Sequence, residues 1–110
     1  MDTRSFIDAK IAAKPILLIG KSCDSLTKYV EKYINDNGIA RSRPGFFETL
    51  YIDGRQDVSV IDTYIYQKWL TKCRTAPHLF INGIYIGGGM DLITQIRQGI
   101  LERILNSIFE

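Results

Sequence analysis

The chain has 110 residues, with 14 basic and 12 acidic side chains and a formal charge of +2. That balance is too mild to mark a nucleic-acid or anionic-membrane binder, and 45% hydrophobic with 24% charged residues suits one soluble globular domain spanning 1–110. Two cysteines, Cys23 and Cys73, make neither a zinc spacing nor a dense disulfide framework, so no metal is expected and a reducing, cytoplasmic setting is.

The first segment, MDTRSFIDAKIAAKP, is interrupted by charges and reads without the apolar core of a secretory leader. No stretch reaches membrane-spanning length. Phe6, Ile7 and Ile11 recur at helical spacing, and Pro15 ends the pattern by disfavouring helix at Lys14. ILLIG (16–20) is a short, fully apolar run bounded by Pro15 and Gly20, which favours a buried strand over a helix.

An amphipathic helix follows, with Leu26, Tyr29, Val30, Tyr33 and Ile34 on one face and NDNG (35–38) as its stop. IARSRPG (39–45) reads as a basic loop. FFETLYI (46–52) is rich in strand formers and ends at Asp53-Gly54. A third helix fits 58–71, with Ile61, Tyr64, Ile65 and Trp69 on its buried side. HLFINGIYIG (78–87) is a hairpin signal, in which Asn82-Gly83 favours a type I′ turn. The last segment, 91–109, reads as helix, Gly99, helix. The order α-β-α-β-α-β-β-α-α implies a mixed sheet with helices on both faces.

Chemistry concentrates at KSCDSL (21–26), where a lysine and a cysteine top the first strand and a helix begins. Cys23 can draw on the helix end and on Lys21 to favour its thiolate. Asp24 beside it works the other way, since a negative neighbour disfavours the thiolate. Asp24 and Ser25 are also good helix N-caps, so this stretch has a purely structural reading as well. Cys73 reads as a free thiol in a loop. His78, next to Pro77, reads as strand-edge polarity and not as a base.

The pieces Thr75-Ala76-Pro77, Phe80-Ile81-Asn82-Gly83, Ile86-Gly87-Gly88 and Asp91-Leu92 stand in an order and spacing that resembles the glutaredoxin family. In that pattern Thr-Val-Pro precedes a strand, an Asn-Gly-type hairpin follows, and Ile-Gly-Gly leads to Asp-Leu. The resemblance spans nearly the whole chain, with a loop around 38–47 that looks longer than usual. It implies an α/β, thioredoxin-like fold with a four-stranded mixed sheet flanked by helices and a cis bond between Ala76 and Pro77.

The resemblance also implies a function. Glutathione would serve as co-substrate, with disulfide-containing or glutathionylated proteins as partners and the chain as a monomer. Lys21, Thr75, Ala76, Pro77, Gly88, Gly89, Met90 and Asp91 would form the groove. Met90 lacks the polar side chain that the family often places there. Family members carry Lys-x-x-Cys-x-x-Cys or Lys-x-x-Cys-x-x-Ser after the first sheet strand. Without a gap, Lys21 to Thr27 puts Asp24 at the nucleophile position and Thr27 at the second cysteine. Placing Cys23 there instead requires a one-residue deletion. Two functions therefore stand open: a monothiol, glutathione-dependent oxidoreductase acting through Cys23, or a catalytically impaired binding module with Asp24 in the nucleophile's place. The Cys-Gly-Phe-Ser of cluster-sharing monothiol glutaredoxins is absent.

Overall fold

The computed structural model describes residues 2–38, 42–69, 71 and 76–109. Cys73, Thr75 and part of the basic loop lie outside them. In chain order the elements are α1 (Thr3–Ala13), β1 (Ile16–Gly20), α2 (Ser25–Asp36), β2 (Phe47–Tyr51), α3 (Val58–Trp69), β3 (His78–Ile81), β4 (Ile84–Gly88), α4 (Met90–Arg97) and α5 (Ile100–Phe109). The strands form one four-stranded sheet in the order β2-β1-β3-β4. β1 runs parallel to β2 and antiparallel to β3, and β3 is antiparallel to β4.

The continuous apolar run of β1 follows from its place inside the sheet, covered on both faces. Ile16 and Leu18 face one core layer, with Val30, Ile34, Leu92, Leu101 and Leu105 from α2, α4 and α5. Leu17 and Ile19 face the other, with Ile7 and Ile11 of α1, Ile61 and Ile65 of α3, and Phe80. This alternation is the period-two geometry of a strand.

The local signals mostly hold. Asp2 caps α1, its carboxylate accepting from the Ser5 amide at 2.8 Å. Asn82 and Gly83 both take left-handed backbone, with φ of 51° and 80°, as a type I′ turn requires. Gly99, at φ 74°, separates α4 from α5. The Ala76–Pro77 bond is cis.

One departure concerns α2. Val30 and Ile34 are buried as the spacing predicts, but Tyr29 is 49% exposed, and Thr27 is fully buried instead. The buried side is centred near Val30 and Ile34, which brings Thr27 inward and leaves Tyr29 on the rim of the apolar stripe.

Polar contacts tie α1 to α3 and to the turn just before it. The Thr3 hydroxyl donates to Asp57 at 2.8 Å, and the Tyr64 hydroxyl and Lys68 ammonium donate to Asp8 at 2.7 and 3.1 Å. Asp57 also accepts two hydrogen bonds from the Arg55 guanidinium, at 2.8 and 3.1 Å.

Candidate functional site

The sheet brings three chain segments to one end. β1 finishes at Gly20, and Ile19 pairs with His78, the first residue of β3. Residues after β1 therefore lie beside residues before β3. Gly88, at the end of β4, pairs with His78 from the other side. The Gly89 amide then donates to the Pro77 carbonyl at 3.0 Å. Lys21, Cys23 and Asp24, the Ala76-Pro77 step, and the turn from Gly88 to Asp91 thus gather at this end of the sheet.

Asp24 is the N-cap of α2, with extended backbone. Its Oδ2 accepts from the Thr27 amide at 3.1 Å and from the Thr27 hydroxyl at 2.8 Å. The Thr27 hydroxyl oxygen in turn accepts from the Lys21 amide at 3.3 Å. One buried threonine therefore fixes both ends of the short turn that carries Cys23. A glycine is needed under this turn, because a Cβ on Gly20 would fall 2.2 Å from Thr27 Cγ2.

The turn is also latched sideways. Ser22 donates to Asp53 twice, from its amide at 3.0 Å and from its hydroxyl at 2.6 Å. The Ser22 hydroxyl and amide hold the Asp53 carboxyl below the usual carboxylate range. Cys23, between Ser22 and Asp24, is an exposed free thiol. Lys21 is half-buried just after β1.

The opposite rim is made by the start of α4. Gly89, at φ 54°, occupies the N-cap and offers no side-chain cap. The first amides of α4 are thus donors suited to an anionic group from outside. Met90 is 59% exposed, and Asp91 is exposed in the first turn. Among the expected groove residues, Lys21, Ala76, Pro77, Gly88, Gly89, Met90 and Asp91 therefore converge, while Thr75 lies outside the described residues.

His78 departs from its expected role as strand-edge polarity. β3 lies inside the sheet, between β1 and β4, and His78 is fully buried. Its Nε2 lies 3.3 Å from Asp62 Oδ1 on α3, and its Nδ1 lies 3.3 Å from the Tyr85 hydroxyl on β4. The sequence carries one faint sign of this cluster: Asp62 sits directly beside Ile61 on the apolar side of its helix.

This geometry has relatives. Glutaredoxin-C6 from Oryza sativa subsp. japonica is 30% identical over 95 residues, which cover 86% of this chain and 78% of that protein. The chain belongs to the glutaredoxin family. Its fold matches oxidized glutaredoxin 2 from Chlamydomonas reinhardtii with a TM-score of 0.73 at 22% identity, covering 94% of this chain and 90% of that one. A buckwheat glutaredoxin–glutathione complex matches with a TM-score of 0.68 at 23% identity, covering 94% and 86%. No family model matches the chain. The thioredoxin-like fold of this glutaredoxin relative thus carries a helix cap, Asp24, at the start of α2, directly after the exposed Cys23.

Proposed function

We propose that this glutaredoxin-family protein binds glutathione at the end of its sheet, and that thiol–disulfide exchange there is held back because Asp24, not a thiol, caps α2. The observation that carries this reading is the pair of hydrogen bonds from Thr27 to the Asp24 carboxylate. A helix N-terminus lowers the pKa of a thiol because its free amides and dipole favour a negative charge. Here a carboxylate already takes that position, and an aspartate cannot attack a disulfide.

The binding half of the reading rests on three features. Lys21 supplies a cation for the glycyl carboxylate. The Ala76 backbone offers pairing to an extended peptide, in the manner of strand addition. The amides at the start of α4 suit the γ-glutamyl carboxylate. The glutathione complex of the buckwheat relative supports the same ligand class. Partners would be small or protein disulfides that carry glutathione, in a reducing cytoplasm.

The exposure of Cys23 favours a second, residual activity by the monothiol route. The Cys23 thiolate would attack the glutathione sulfur of a glutathionylated substrate. A Cys23–glutathione disulfide would form, and the substrate thiolate would leave and take up a proton. A second glutathione thiolate would then attack the glutathione sulfur, releasing oxidised glutathione and regenerating the Cys23 thiolate. The test is a glutathione-coupled disulfide reduction assay comparing wild type with Cys23→Ser. Low turnover in the wild type, so that Cys23→Ser removes only a small absolute rate, fits the proposal. Robust turnover abolished by Cys23→Ser would make Cys23 the nucleophile and the Asp24 reading wrong.

A further inference from the structure

We infer that the buried cluster His78–Asp62–Tyr85 is a positioning device that sets the Gly88–Gly89 turn for a carboxylate-bearing peptide. The inference deepens the proposed glutathione site and rests on that reading for its ligand. It draws on residues that the thiol chemistry does not use.

The surrounding layer is apolar, built from Ile19, Ile61, Ile65 and Phe80. A fully buried His78 beside Asp62, itself 7% exposed, is costly there unless both are paired. Both ring nitrogens of His78 have partners, each at 3.3 Å. The Asp62 carboxylate accepts, so Nε2 carries the proton it receives. Nδ1 shares the second hydrogen bond with the Tyr85 hydroxyl. The chain Asp62, His78, Tyr85 therefore fixes where the Tyr85 hydroxyl sits.

That hydroxyl lies against the turn. A Cβ on Gly88 would stand 2.5 Å from Tyr85 Oη, 2.9 Å from the Pro77 carbonyl oxygen and 3.3 Å from His78 Nδ1. Gly88 thus rests on all three groups at once. The next residue, Gly89, donates its amide to the same Pro77 carbonyl at 3.0 Å. The backbone entering α4 is consequently seated on a hydrogen-bonded base, and an apolar side chain in place of Tyr85 would leave its position less defined. The helix start that would receive a carboxylate takes its place from this base.

The test uses Tyr85→Phe, which removes one oxygen and keeps the ring that packs on Phe80 at 5.3 Å between centroids. Asp62→Ala and Asp62→Asn accompany it, since the asparagine Oδ1 can still accept from His78 Nε2. Two quantities are read: the dissociation constant for glutathione and hydrogen exchange at the Gly89 amide. Tyr85→Phe and Asp62→Ala should weaken glutathione about threefold to tenfold and speed Gly89 exchange. Asp62→Asn should stay near wild type, a rescue that loss of general stability would not give. Unchanged affinity in Tyr85→Phe beside a glutathione-binding wild type overturns the inference and leaves the proposed function intact. A wild type that binds no glutathione sinks the proposed ligand, and Gly89 exchange then decides alone: equal rates in wild type and Tyr85→Phe overturn the positioning role, while faster exchange in Tyr85→Phe upholds it.

Discussion

Asp24 and Thr27 are joined twice, the aspartate carboxylate accepting from both the amide and the hydroxyl of the threonine at 3.1 and 2.8 Å. These are N-cap and third-residue positions of one helix, so the pair closes the first turn of α2. The threonine is fully buried and also holds the Lys21 amide. Thus the residue pair that starts the helix also sets the backbone of the turn carrying Cys23.

Removing either member should loosen this turn. Asp24→Ala should cost about 1 kcal/mol of folding stability, the usual effect of losing a side-chain cap. Thr27→Val should cost about 1–3 kcal/mol, because the Lys21 amide loses its acceptor in a partly buried place. The double variant should cost less than the two single effects added, since the residues share hydrogen bonds. Urea midpoints measure all three. Strict additivity would contradict the coupling.

Asp57 gives a pH prediction. The Arg55 guanidinium, together with the Thr3 hydroxyl, brings its carboxyl from 3.8 down to about 2. A carboxyl with a depressed folded-state pKa contributes its stability above the unfolded value and loses it as pH falls through the folded one. The contribution should therefore be complete above 3.8 and fade toward pH 2. In thermal melts between these limits, Asp57→Asn should show a shallower fall of Tm with acid than wild type. Parallel curves would remove Asp57 from the acid response.

Met90 bears on glutathione affinity. The residue is 59% exposed at the start of α4, and its thioether cannot give the hydrogen bond that a polar residue there supplies. A bond to a charged group contributes about 1.5–3 kcal/mol, so wild-type affinity should be reduced about tenfold to a hundredfold relative to a polar residue. Met90→Ser should recover part of that loss. Titration followed by chemical-shift mapping checks it, with perturbations expected at Lys21, Ala76 and the turn from Gly88 to Asp91. Perturbations elsewhere would displace the groove.

The residues differ in how openly the sequence displays them. β1 was legible because a short apolar run between Pro15 and Gly20 has few other uses, and the hairpin because Asn82-Gly83 demands left-handed backbone. Asp24 was legible as a cap, since aspartate before an apolar-periodic segment is a local signal. The Ser22–Asp53 latch was not, and the His78–Asp62–Tyr85 cluster showed only in the placing of Asp62 beside Ile61. Each joins residues on different elements, and pairing across a sheet end leaves no periodicity in one segment. Tyr29 misled for the related reason that helical spacing marks an apolar arc without saying which part of it meets the sheet.

The most direct test of the central claim is gain of function at Asp24, read as initial rate in a glutathione-coupled disulfide reduction assay. If Asp24 occupies the nucleophile's place, wild type should be slow, Cys23→Ser should differ little from it, and Asp24→Cys should be faster. The new thiol would stand at the N-terminus of α2 near Lys21, where its thiolate is favoured. A fast wild type that Cys23→Ser silences, with no gain in Asp24→Cys, would contradict the account.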